Sequence, residues 1–179
     1  MGEDGLMGLL HHHREDPQSN RYIMKERLLA IATDFYVENT AGNRCYWVDG
    51  KALRVRETML FKELDGHELF KVQQRKIRMR KTMKITEPHG STVATIHEHL
   101  IEPIHQRFDI DVEGEQPMVA KGNILAHEYT IKREGTLVAT ISKKWIRVRD
   151  TYVVEVADGV SVPFILAVAA ALDEMSDPG

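Results

Sequence analysis

The sequence is poor in the residues on which many reactive sites depend. Cys45 is its only cysteine, which excludes an internal disulfide and any zinc cage built on several thiolates. A reducing, cytoplasmic setting suits such a chain. Neither charge sign dominates: 24 Lys and Arg against 27 Asp and Glu leave a net charge of −3. No global positive field therefore advertises nucleic acid or an anionic membrane, and a local patch would have to meet any such partner. The basic region and long apolar stretch of a secretory signal are missing from the N-terminus. Leu6 stands where an N-myristoylation signal places Ser or Thr. A nucleophile elbow, a phosphate-binding glycine loop, a dinucleotide fingerprint and a His-Glu-x-x-His metal motif are also missing. No catalytic residue, cofactor or metal is assigned, and the chain reads as non-enzymatic.

Long apolar runs are scarce, and one stands out. Phe164 to Leu172 contains no polar side chain. Within the stretch Val160 to Met175, Ser161 just before Pro163 is a helix-opening pair, so a helix is predicted to start there. A helix that is apolar on every side either spans a membrane or forms the buried core of something larger. At roughly 1.5 Å per residue the 13 residues from Pro163 to Met175 reach about 20 Å, whereas a bilayer core needs about 20 residues. Asp173, Glu174 and Asp177 close it at once. Burial inside protein follows, with no transmembrane segment. Ala167, Ala169, Ala170 and Ala171 keep the helix thin, as close approach of a surrounding wall requires.

The remaining chain is built on a recurrent unit. Leu53-Arg54-Val55-Arg56-Glu57-Thr58-Met59 returns as Ile77-Arg78-Met79-Arg80-Lys81-Thr82-Met83 and again as Ile146-Arg147-Val148-Arg149-Asp150-Thr151-Tyr152. Gly66, Gly90 and Gly159 punctuate these copies, and Leu29 with Gly42 and Ile101 with Gly114 keep the same frame. Between the cores lie short runs such as Val93-Ala94-Thr95-Ile96 and Val138-Ala139-Thr140-Ile141. β-Branched and aromatic runs separated by Asp-Gly signals are strands and hairpins. A meander of this length with one apolar helix to bury implies a closed barrel around that helix. Eight-stranded barrels are filled by side chains alone, and the 11-stranded can around a helix sets the scale at roughly 11 to 13 strands. Five two-stranded units plus a hairpin around Met118 to Lys132 supply that number. The fold class is thus an all-β antiparallel barrel of about 12 strands with a central buried C-terminal helix. Residues 1–20 are read as a disordered tail and residues 21–176 as one barrel domain.

Ser142-Lys143-Lys144-Trp145, continuing through Arg147-Val148-Arg149-Asp150-Thr151-Tyr152, resembles the LURP-one-related family of the tubby C-terminal-like superfamily. Gly122-Asn123-Ile124-Leu125-Ala126-His127-Glu128-Tyr129 is similar to a second signature of that family. The resemblance covers about Arg21 to Met175 and looks closest to bacterial or archaeal members. It implies a twelve-stranded barrel threaded by a C-terminal helix. Tubby proteins bind phosphoinositide head groups, and phospholipid scramblases share the architecture. No lipid-binding residue of tubby transfers to a position here.

The strongest site candidate is the basic set Arg54, Arg56, Arg78, Arg80, Lys143, Lys144, Arg147 and Arg149. Guanidinium groups suit bidentate phosphate binding, so the set would recognise phospholipid head groups or another polyanion at a membrane surface. The competing reading is a solvated outer face paired with Glu57, Glu63, Asp150 and Glu155, each pair contributing about 0–1 kcal/mol. A protein-interaction scaffold and a scramblase-like membrane-perturbing protein are the alternative functions, and no specific nucleic acid is expected. His97 and His99 share one face of a predicted strand, with His105 nearby, but no acidic ligand is placed beside them by sequence alone. His127 and Glu128, as neighbours on a strand, point to opposite faces. Cys45 occupies an apolar repeat position and is read as core.

Overall fold

The computed structural model describes residues 20–25, 35–49, 58–77, 80–100, 105–123, 128–142 and 151–176. Of the predicted tail, Asn20 alone is among them. Twelve strands appear in chain order: β1 (Arg21–Lys25), β2 (Phe35–Asn39), β3 (Arg44–Asp49), β4 (Thr58–Lys62), β5 (Glu68–Ile77) and β6 (Arg80–Thr86), then β7 (Thr92–Leu100), β8 (His105–Val112), β9 (Met118–Asn123), β10 (Glu128–Arg133), β11 (Thr136–Ser142) and β12 (Thr151–Val156). Among the described residues a single helix follows, α1 (Val162–Ser176). Each strand pairs antiparallel with the next, and β1 closes the barrel by pairing with both β12 and β2. The hairpin predicted around Met118 to Lys132 is β9–β10, with Tyr129 opposite Gly122.

Alternation explains the core. On every strand the apolar residues two apart point inward: Met59 and Phe61 on β4, Met83 and Ile85 on β6, Phe108 and Ile110 on β8, Tyr152, Val154 and Val156 on β12. Three residues of the recurrent unit, Thr58, Thr82 and Thr151, are buried immediately before the core residues Met59, Met83 and Tyr152.

The helix fills the lumen. From Val162 to Asp173 every residue is buried, so the helix is enclosed on all sides, as its lack of a polar face requires. It begins where the Ser161 carbonyl accepts the first helical bond from the Ile165 amide at 3.1 Å. The alanines let the wall approach, while Phe164 meets Phe70 of β5 edge-on, with ring centres 6.0 Å apart.

Closure of the barrel gives it two unlike ends. Each turn leading from an even-numbered strand lies at the end where α1 enters. Gly42, Gly66, Gly90, Gly114, Gly135 and Gly159 sit in these turns with φ between 74° and 94°. In three of them the glycine amide donates back three residues, to Asn39, Glu63 and Glu87, and the strand register shifts beside the turn. This is a type I turn followed by a left-handed residue, a position that favours glycine.

Candidate anion-binding end and its surroundings

The other end, where α1 finishes, is where each odd-numbered strand passes to the next. Of the eight predicted basic residues, Arg54, Arg56, Arg78, Lys143, Lys144, Arg147 and Arg149 lie outside the described residues. Arg80 opens β6, and its side chain is likewise outside them. The topology nonetheless fixes which strand ends these stretches join. Residues 50–57 join β3 to β4, residues 78–79 join β5 to β6, and residues 143–150 join β11 to β12. All three joins are therefore made at the same end. They belong to one arc of the barrel, β11-β12-β1-β2-β3-β4-β5-β6, and the joins on the opposite arc, residues 101–104 and 124–127, contain no Lys or Arg.

Inside this end the apolar lumen gives way to a polar collar. The Tyr129 hydroxyl donates to Ser176 Oγ at 2.7 Å, and Ser176 in turn donates to the Leu172 carbonyl at 2.6 Å. Gln106 Oε1 lies 3.3 Å from the same phenol, and Gln106 Nε2 donates to Glu98 Oε1 at 2.8 Å. Lys81 Nζ donates to the Met175 carbonyl at 3.3 Å, supplying a cation to the negative end of the helix. Burial pushes the Tyr129 phenol up to about 12, with the Asp173 and Glu98 carboxylates adding to the shift and the Ser176 bond opposing it. Burial also raises the Glu98 carboxyl, against the pull of the Lys81 ammonium. Gly122 makes room for this collar: a Cβ there would collide with the Glu128 carbonyl and the Tyr129 ring. A cavity of about 10 Å³ bounded by Tyr129, Ile141, Tyr152, Ala169, Leu172 and Asp173 is about the size of one water. This cavity among the described residues is too small for an organic ligand.

A second polar group covers the outer face of β7 and β8. His99 Nε2 lies 2.7 Å from Asp109 Oδ2, His97 Nε2 lies 3.6 Å from Asp111 Oδ2, and Arg107 Nε donates to Asp109 Oδ1 at 2.9 Å. Thr82 Oγ1 approaches His97 Nδ1 at 3.4 Å. The carboxylates that the sequence did not place beside His97 and His99 thus come from the neighbouring strand. The alternation in Arg107-Phe108-Asp109-Ile110-Asp111 signals an outward acidic row, but the cross-strand register that pairs it with the histidines is not readable locally. Among the described residues no group of three or more His, Cys, Asp or Glu side chains is placed to hold a metal ion. His127 and the side chain of His105 lie outside those residues, whereas Cys45 is half-buried with its thiol 3.4 Å from the Asn43 carbonyl.

The family model for LURP-one-related proteins matches residues 20–173, nearly the whole barrel and helix. The chain belongs to the LURP-one-related family. An X-ray structure of a protein from Arabidopsis thaliana is similar, with a TM-score of 0.60 at 13% identity, covering 88% of this chain and 92% of that one. At that identity the likeness shows the fold. No curated protein matches the chain. Among the described residues, no helix of this LURP-one-related barrel is long and apolar enough to cross a membrane.

Proposed function

We propose that this LURP-one-related barrel is a non-enzymatic binding module of the cytoplasm that attaches peripherally to membranes by recognising anionic phospholipid head groups. Arg54, Arg56, Arg78, Arg80, Lys143, Lys144, Arg147 and Arg149 are the residues assigned to that contact. The observation that supports this reading most is topological: the basic stretches between β3 and β4, β5 and β6, and β11 and β12 are all joined to strands at one end of one barrel. A lumen filled by α1 favours recognition on the surface. Arginine forks suit phosphate oxygens, and a basic residue near an anionic leaflet contributes about 1 kcal/mol. Vesicle flotation tests the reading. Protein should float with vesicles containing phosphatidylserine or phosphoinositide, and should float less as salt rises. Replacing Arg78, Arg80, Arg147 and Arg149 by a mixture of Glu and Gln should abolish flotation. A wild-type protein that ignores anionic vesicles at low ionic strength ends the lipid reading and leaves a protein-interaction scaffold.

A further inference from the structure

The polar collar is one proton short of bonding every pair of atoms it brings together. Glu98, Gln106 and Tyr129 stand two residues from the core residues Ile96, Phe108 and Ile131, so all three share the inward rows of their strands. Gly122 lies opposite Gln106 on one side and Tyr129 on the other. Its lack of a side chain lets the two meet across β9. The Ser176 hydroxyl has one proton, and the Leu172 carbonyl 2.6 Å away has none to offer, so that proton is spent there. The 2.7 Å contact between Tyr129 and Ser176 must then hold the only proton of the phenol. While Gln106 Nε2 donates to Glu98, Gln106 Oε1 faces the Tyr129 oxygen at 3.3 Å with no proton left to lie between them.

We propose that the collar is a proton-operated latch on α1: a proton taken up by Glu98 reverses the Gln106 amide and completes the chain of bonds to the last helical turn. In the protonated arrangement Glu98 donates to Gln106 Oε1 and Gln106 Nε2 donates to the Tyr129 oxygen. Tyr129 still donates to Ser176, and Ser176 to the Leu172 carbonyl. Every link then has its own proton. The two ends of an amide are nearly equal in size, so the reversal requires no movement of the surrounding core. Loss of the proton restores the facing oxygens and loosens the hold of β10 on the helix. The phenol keeps its proton throughout, being pushed up to about 12. Among the described residues the charged groups facing this chain are Lys81 from β6, which draws Glu98 toward ionisation, and Asp173 from α1, which adds to the shift of the phenol. β8 and β10 present the neutral Gln106 and Tyr129 here, while His97, His99, Arg107 and Asp109 lie on the outer face. Burial raises the Glu98 carboxyl above 4.5 in the folded protein. Its contribution to stability is therefore fully present below 4.5 and is lost as pH rises through the raised value. The latch is tight in acid and slack at neutral pH.

Side-chain NMR of the wild-type protein reads the reversal directly. As pH falls from about 8 to about 4, the Gln106 NH2 group should lose its Overhauser contacts to the Glu98 methylenes and gain contacts to the Tyr129 ring. That exchange should follow the same curve as the Glu98 carboxyl carbon. Two variants separate the relay from simple burial. Ser176→Ala frees the proton of the phenol for Gln106 Oε1, which satisfies the ionised arrangement. Tyr129→Phe removes the oxygen that receives the reversed amide. Each should move the Glu98 titration to lower pH, although Glu98 itself is unchanged. Burial alone predicts no movement in Ser176→Ala. In Tyr129→Phe it predicts an unchanged or higher midpoint, because loss of the hydroxyl makes the site less polar. Wild-type Gln106 contacts that stay with Glu98 across the titration overturn the latch, as does a Glu98 midpoint that fails to fall in Ser176→Ala. The wild-type measurement decides the matter even where a variant folds poorly.

Discussion

The hydroxyl of Tyr129 lies 2.7 Å from the Oγ of Ser176, a bond between residues 47 positions apart that ties β10 to the last turn of α1. An apolar helix in an apolar lumen has little to fix its depth, because dispersion and the hydrophobic effect are nearly indifferent to sliding. Directional bonds are not. Tyr129, Gln106 and Lys81 reach α1 or its immediate neighbours from β10, β8 and β6, so the collar sets where the helix stops.

Tyr129→Phe should lower stability by about 1–2 kcal/mol in urea unfolding, the scale of one buried hydrogen bond. It should also remove an alkaline limb. The phenol is held to about 12 in the folded protein against 10.0 ordinarily, so the unfolded chain loses its proton first. The native state then binds more protons than the unfolded one, and stability falls as pH rises from 10 to about 12. The loss over that window is on the order of 2–3 kcal/mol. Unfolding midpoints at pH 9 and 11.5 check it: wild type should lose stability from this source, and the Phe variant should not.

Glu98→Gln tests the collar from the acidic side. Burial raises the Glu98 carboxyl above its ordinary 4.5, which means the ionised form weighs against the fold at neutral pH. Gln keeps an oxygen to accept the Gln106 bond and carries no charge. The variant should therefore equal or exceed wild type in stability at pH 7. As pH falls through the raised value toward 4.5, wild type gains a proton in the folded state and the difference should shrink. Urea midpoints between pH 4 and 8 give the comparison, and a variant clearly weaker at neutral pH would mean that attraction to Lys81 outweighs burial.

Some of this was legible because it is periodic. Phe164 to Leu172 declared an enclosed helix, and the runs between Asp-Gly signals declared hairpins, because each depends on residues close in sequence. The helix start is legible too, because Ser161 and Pro163 mark it locally, and the Ser161 carbonyl accepts the first helical bond. What stayed hidden depends on register. His97 and His99 meet Asp109 and Asp111 only because β7 and β8 pair with Glu98 opposite Phe108. Tyr129 reaches Ser176 only once the barrel has closed around α1. Nothing within either local sequence encodes those meetings.

Gly122→Ala should destabilise the protein more than a helix-propensity or strand-propensity difference allows. The added methyl collides with the Glu128 carbonyl and the Tyr129 ring, one of them fixed backbone. Overpacking of this kind costs about 1–3 kcal/mol. A double-mutant cycle with Tyr129→Ala should show coupling, since removing the ring relieves half of the collision. Strict additivity of the two changes would show that the ring is not the obstacle.

The last prediction concerns the helix as a whole. Leu166 and Ala170 are both fully buried and lie on one face, four residues apart. Leu166→Ala should cost about 2–5 kcal/mol through the cavity it leaves, and Ala170→Leu about 1–3 kcal/mol by forcing the wall outward. Removal of the chain after Val162 should exceed both. Met24, Val48, Met59, Ile85, Ile96, Ile110 and Val154, all fully buried now, would line an apolar lumen with nothing in it. Such a space is too wide to be bridged by side chains from opposite strands, because barrels filled by side chains alone have about eight strands. The truncated protein should be insoluble, or soluble without a cooperative transition and with exposed apolar surface that binds a hydrophobic dye. A helix serving as a membrane anchor predicts the opposite, a barrel indifferent to its loss. Thermal unfolding of the truncated chain discriminates: a sharp transition near the wild-type temperature would show that the barrel does not need α1 as its core.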